Sequence, residues 1–182
     1  MSTWIYLISA AAPPETIFGH DAEVPPGKLI RATRLADSLP RGARAFAAPS
    51  RRAAQTAAAL GLIADLDPAL AETDFGRWAG RDLAAVLADT PDAVAVWLND
   101  PSAAPHGGET LADVQARVAD WLEARAAEGG QVIAISHPGP IRAAVLHALG
   151  APLTIAHRID VAPLSRVLLT HDARRWMWRS GD

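Results

Sequence analysis

Apolar and polar positions along this chain fall into blocks with two different periods. Trp4 to Ile8 is an unbroken run of strand formers followed by Ser9 and three alanines, which predicts a buried central strand ending in a loop. Residues 13–27 hold four prolines and two glycines and predict loop. Leu29, Ala32, Leu35, Ala36 and Leu39 then recur at helical spacing, so Lys28 to Leu39 predicts a helix ended by Pro40-Arg41-Gly42. Ala45 to Ala47 is a short strand candidate, and the alanine-rich stretch 51–60 predicts a helix stopped by Gly61. Gly80 to Ala88 and Ala93 to Leu98 predict two helices with Pro91 between them, and residues 99–109 predict loop. Leu111, Val114, Val118, Trp121 and Leu122 mark a long amphipathic helix closed by Gly129-Gly130. Val132 to Ile135 is a second buried strand, after which Pro138 opens a helix that runs to Gly150. Leu164 to Thr170 and Arg174 to Trp178 pattern as two edge strands in a hairpin.

Strands that alternate with helices predict an α/β protein: a three-layer αβα sandwich whose central sheet is mostly parallel and carries an edge hairpin. No repeat or linker divides the sequence, so residues 1–182 are expected to form one domain. Half the residues are apolar and the net charge is −3, a globular balance that argues against nucleic acid or an anionic membrane as partner. The chain has no cysteine, which excludes disulfides, thiolate chemistry and cysteine-held zinc. The first apolar run is too short for a signal-peptide core and has no basic residue before it, so a cytoplasmic location is expected.

In a sheet of this kind ligands bind beyond the carboxyl ends of the strands. Residues 9–11, 48–52 and 136–138 meet that condition. Ser136-His137-Pro138-Gly139-Pro140-Ile141-Arg142 puts a histidine at a strand-to-helix junction, where the positive end of the helix suits an anion. Ala48-Pro49-Ser50-Arg51-Arg52-Ala53-Ala54-Gln55-Thr56-Ala57 puts Arg52 in a first helical turn, from which a guanidinium reaches phosphate bidentately. Leu70-Ala71-Glu72-Thr73-Asp74-Phe75-Gly76-Arg77-Trp78-Ala79-Gly80 carries Glu72, a carboxyl suited to protonating a departing alkoxide. Gly107-Gly108-Glu109-Thr110 opens the long helix with Thr110 as its cap. Taken singly, His137 also fits a helix cap, Arg52 a solvated arginine and Glu72 a surface glutamate.

Taken together and in this order, the four segments resemble the signatures of the histidine phosphatase (phosphoglycerate mutase-like) superfamily: S-H-G-G-x-I-R, S-P-L-x-R-A-x-Q-T-A, L-x-E-x-x-F-G-x-W-E-G and G-G-E-S. The tail Ala156-His157-Arg158-Ile159-Asp160, with Leu164-Ser165, is similar to bacterial members near the α-ribazole phosphatases. The resemblance implies a phosphoglycerate mutase-like fold. It makes Arg52 and His137 phosphate-binding residues and Glu72 and His137 catalytic ones, with neither metal nor cofactor. It also implies that residues 80–106 roof the site; Trp97 and His106 are candidate contacts there, though such residues are more often core or surface than ligand contacts.

One signature is broken. Where the family has L-x-R-H-G at the end of its first strand, this chain has Leu7-Ile8-Ser9-Ala10-Ala11. Ser9 replaces the arginine and Ala10 the nucleophilic histidine, and Ala79 replaces the glutamate of W-E-G. Alanine has no nucleophile to offer. Ser9 lies one residue away and, by strand alternation, on the other face. The resemblance therefore implies a degenerate histidine phosphatase that lacks phosphohistidine chemistry but keeps a phosphate or anion site. One alternative is a divergent phosphomonoesterase, α-ribazole phosphatase-like, that uses Glu72, His137 and Arg52; another is a fold kept for partner contact alone. The expected partner is a small phosphorylated molecule or phosphate ion, with no role for nucleic acid or membrane, and the tail tryptophans leave room for a homodimer.

Overall fold

A computed structural model describes residues 2–13 and 15–180; Pro14, in the expected N-terminal loop, lies outside them. The strands are β1 (Thr3–Ser9), β2 (Arg44–Ala47), β3 (Asp65–Leu66), β4 (Gly130–Ser136), β5 (Arg166–His171) and β6 (Trp176–Arg179). The helices are α1 (Pro26–Ala36), α2 (Arg51–Ala59), α3 (Leu83–Asp89), α4 (Pro91–Asn99), α5 (Leu111–Glu128) and α6 (Pro138–Leu149). One sheet contains all six strands in the order β3-β2-β4-β1-β5-β6. The first four are mutually parallel; β5 runs antiparallel to β1, and β6 antiparallel to β5.

The expected mixed α/β fold with a mostly parallel sheet is what forms. α1 packs on α2 and α5 packs on α6. Connections between parallel strands are right-handed as a rule, which puts α1 and α2 on one face of the sheet and α5, with α6 packed on it, on the other. Between the layers lie Ile5, Leu7, Ile8, Val132, Ile133, Ile135, Ile141 and Leu169, all almost fully buried. β1 and β4 are buried nearly end to end because both have neighbours on each side and helices above and below, which is why they read as continuous apolar runs.

Several boundaries differ from expectation for local reasons. β3 is two exposed residues, too short to leave a periodic signal. α1 starts at Pro26, because proline tolerates a first helical position. α3 starts at Leu83, where the Asp82 side chain caps the Ala85 N–H, and not at Gly80, whose φ is +81°. In the tail, only β6 is an edge strand; β5 pairs on both sides. The Asp172 carboxylate accepts from the Arg174 and Arg175 N–H groups, so the turn uses those residues and β6 begins at Trp176. Among the described residues no helix is long and apolar enough to cross a membrane.

The parallel register aligns the carboxyl ends. Ser9 pairs with Ser136, and Ala47 with Ile135. The stitching continues past the strands: the Ala10 N–H donates to Ser136 O (2.8 Å) and the Ala48 N–H to Ile135 O (2.8 Å). Thr56, fully buried in α2, accepts from the Ala11 N–H (3.0 Å) and donates to Arg52 O (2.7 Å). The three segments singled out in the sequence therefore leave the sheet side by side.

Candidate active site

Arg52 and His137 meet directly. Arg52 Nη2 lies 3.2 Å from His137 Nδ1, and Ser50 Oγ lies 2.9 Å from His137 Nε2. A guanidinium only donates, so Nδ1 accepts from Arg52, and the ring proton sits on Nε2 and points at Ser50. His137 is 1% exposed. Burial, helped by the Arg52 charge and opposed by Asp21, lowers its pKa from 6.5 to about 4. The imidazole is thus neutral at pH 7.

Arg52 stands in the first turn of α2, below the cap made by Ser50, whose Oγ accepts from the Ala53 N–H (3.2 Å). Its Nε is buried and has no hydrogen-bond partner among the described residues. Burial is the main influence lowering its pKa, while the Glu72 and Asp21 carboxyls raise it. The guanidinium remains charged at neutral pH.

Glu72 follows the 3₁₀ turn Pro68–Leu70 and faces the first turn of α6. Burial raises its pKa above the ordinary carboxyl range, against opposing influences from the Thr73 N–H (2.9 Å from Oε1), Arg52, Arg142 and the Gly139 N–H. A Cβ on Gly139 would lie 2.3 Å from Glu72 Oε1, so the carboxyl occupies space that only glycine leaves. Behind it Arg117 donates to both oxygens of Glu109 (2.8 and 3.0 Å) and to Ala69 O (2.7 Å), while Glu109 accepts from the Asp74 N–H (3.0 Å). The G-G-E-T segment thereby braces the loop that presents Glu72. Thr110 and Asp113 form a reciprocal cap on α5, as the sequence suggested.

Ala10 is 3% exposed and follows the last residue of β1, beside Ser136. Ser9 is almost fully buried, and its Oγ has no hydrogen-bond partner among the described residues. Of the two roof candidates, Trp97 lines a cavity that Glu72 also lines. His106 does not; it packs edge-on to Phe75 and against Trp78 and accepts from the Gly108 N–H through Nδ1 (3.1 Å).

One contributor escaped the sequence. Asp21, in the proline-rich loop, accepts from the N–H groups of Arg51 (2.7 Å) and Arg52 (3.1 Å) and so satisfies the N-terminus of α2. At α6, Pro138 and Pro140 have no N–H, and the Gly139 N–H faces Glu72. Both helix N-termini, including the one after His137 that the sequence suggested for an anion, already face carboxyl groups of the protein. The only spacing signal was an isolated aspartate in a loop, which pointed to no partner.

The profile of the histidine phosphatase superfamily (branch 1) matches residues 29–181. A bifunctional protein of Mycobacterium tuberculosis is 36% identical over 131 residues, which cover 68% of this chain and 36% of that protein. A glucosyl-3-phosphoglycerate phosphatase of the same organism is 37% identical over 117 residues, covering 57% of this chain and 52% of the other. The chain thus matches only about a third to a half of the length of these relatives. Among solved structures, a mycobacterial glucosyl-3-phosphoglycerate phosphatase in complex with inorganic phosphate superposes with a TM-score of 0.85 at 25% identity, covering 98% of this chain and 96% of that one. The α-ribazole phosphatase from Shigella flexneri shares the fold at 18% identity and a TM-score of 0.82, covering 97% of this chain and 95% of that one. The chain belongs to the histidine phosphatase superfamily.

Proposed function

We propose that this chain is a cytoplasmic, one-domain member of the superfamily that binds phosphate or a small phosphomonoester at Arg52 and has lost phosphohistidine turnover. The observation that carries this reading is Ala10, a buried methyl at the strand end beside Ser136, where the family signature has its nucleophile. Phosphoryl transfer through an enzyme intermediate needs an atom that attacks phosphorus in line, and a methyl group has no lone pair. Losing one member of a catalytic unit costs about three to six orders of magnitude in rate. What remains favours anion binding: a charged guanidinium with an unpartnered Nε, next to a neutral imidazole. A phosphate that draws Arg52 away from His137 would remove the second influence, after burial, that keeps the ring neutral, and would put a negative charge beside it. The ring could then take up a proton and donate to the anion.

A second reading is favoured by the raised pKa of Glu72. A carboxyl that keeps its proton above the usual range suits a general acid. In a divergent phosphomonoesterase, water would attack phosphorus as the ester P–O bond breaks, Arg52 would hold the phosphoryl oxygens, Glu72 would give its proton to the leaving alkoxide, and His137 or the Glu72 carboxylate so formed would take the proton of the attacking water.

Steady-state hydrolysis of a simple phosphomonoester, together with trapping of acid-labile phosphoprotein, separates the two readings. The first expects almost no turnover and no phosphohistidine in the wild type. It also expects a measurable gain when Ser9→Arg and Ala10→His are introduced together. Robust wild-type turnover that Glu72→Gln abolishes would establish the second reading and overturn the first.

A further inference from the structure

Glu72 also lines a cavity of about 150 Å³ whose lining includes neither Arg52 nor His137. Glu72 and Gly139 form the wall it shares with the phosphate-facing residues, since Gly139 is two positions past His137. The rest of its lining is mostly apolar surface and includes four rings, Phe18, Phe75, Trp97 and His157. They come from four separate segments and meet edge to face. Trp97 and His157 centroids are 4.8 Å apart at 61°, and Phe18 and Trp97 are 5.7 Å apart at 89°.

The wall's Asp100 and Glu109 carboxylates, and one edge of Arg142, already have partners within the protein. Asp100 accepts from the N–H and hydroxyl of Ser102, Glu109 is held bidentately by Arg117, and Arg142 Nε donates to Ile159 O (2.7 Å). A polyol entering this space would find both carboxylates taken and an apolar lining elsewhere, and each hydroxyl left without a partner there is costly. A flat apolar ring would extend the edge-to-face pattern. Apolar cavities of roughly 150 Å³ accommodate a benzene-sized molecule.

We propose that this cavity receives the aromatic ring of a small aryl or benzyl phosphomonoester, with Trp97 and His157 setting the preference. The proposal rests on the reading of Arg52 as phosphate anchor, because Glu72 then lies between the phosphate and the ring, where the bridging oxygen would sit.

The test is a set of dissociation constants for the purified full chain, measured by calorimetry with inorganic phosphate, methyl phosphate, glycerol 3-phosphate, cyclohexyl phosphate and phenyl phosphate. Phenyl phosphate is expected to bind at least tenfold tighter than methyl or glycerol phosphate, and tighter than cyclohexyl phosphate. Trp97→Ala should reduce the phenyl-to-methyl ratio to near one. His157→Ala, at an exposed position, should lower the ratio severalfold and serves as the second variant if loss of Trp97 disturbs the roof. Equal affinities for phenyl and methyl phosphate, or for phenyl and cyclohexyl phosphate, would overturn the proposal. Benzyl alcohol reads the cavity without phosphate: a saturable shift of the Trp97 indole signal is expected, and its absence overturns the aromatic pocket even where phosphate binds. Failure of inorganic phosphate to bind while benzyl alcohol does would overturn the Arg52 anchor and with it the proposed phosphomonoester.

Discussion

At the scale of single residues, the chemistry turns on what stands beside His137. Its pKa of about 4 reflects burial first and the facing Arg52 charge second. The folded pKa lies below the ordinary 6.5, so the unfolded chain takes up this proton first. The stability it contributes is complete above pH 6.5 and is lost as the pH falls towards 4, by roughly 3 kcal/mol over that window. Denaturant midpoints at pH 7 and pH 4.5 should therefore diverge more in the wild type than in His137→Gln; equal divergence would remove His137 as the cause. Saturating phosphate should raise the His137 pKa, read from its ring proton shifts, because the anion engages Arg52. The sequence supplied His137, Arg52 and Glu72 and the missing nucleophile at Ala10, since each sits in a short ordered pattern. It could not supply the Arg52–His137 contact or the Ser50 partner, which depend on how two helix starts are apposed. Asp21 was invisible for the same reason: a lone aspartate among prolines has no period and no motif.

At the scale of elements, the helix starts and glycine loops decide how much of the site is free. Asp21 satisfies the first amides of α2 and places a negative charge close to Arg52. Asn also caps helices well. Asp21→Asn should therefore change stability by less than about 1 kcal/mol while tightening phosphate binding by up to about fivefold, through loss of a competing carboxylate. Weaker phosphate binding in Asp21→Asn would show that the carboxylate positions Arg52 and does not compete with the ligand. Two glycines should respond to very different degrees to substitution by alanine. A Cβ on Gly108 would lie 2.0 Å from Asp74 O, a backbone atom in a braced loop, so Gly108→Ala should cost about 3 kcal/mol in unfolding free energy. A Cβ on Gly139 would meet the ends of the Glu72 and Thr73 side chains at 2.3 and 2.7 Å, and these can swing aside. Gly139→Ala should stay folded, with its midpoint shifted by under about 1 kcal/mol, and displace the Glu72 carboxyl. Thermal unfolding of both variants checks the contrast, and similar losses would contradict it.

At the scale of the whole molecule, the buried strands and capped helices were legible because the period of burial is written directly into them. β1, β4 and α5 are the clearest cases, with two buried runs and one amphipathic stripe. β3 was not legible: two exposed residues gain their strand geometry only by pairing with Phe46 and Ala47. Nor was the interior position of β5, because a hairpin reads the same from sequence whichever of its strands joins the sheet. The fold carries the carboxyl ends of β1, β2 and β4 to one rim, and the scaffold there is intact around Ala10. The central proposal is that this rim holds phosphate through Arg52, with Ala10 standing where the family signature has its nucleophile. Calorimetric titration of inorganic phosphate into the wild type and Arg52→Ala tests it most directly. A charged hydrogen bond to phosphate contributes about 1.5–3 kcal/mol, so millimolar binding by the wild type should weaken roughly tenfold or more in the variant. Equal binding by the two proteins, or none by the wild type at millimolar phosphate, would contradict the claim.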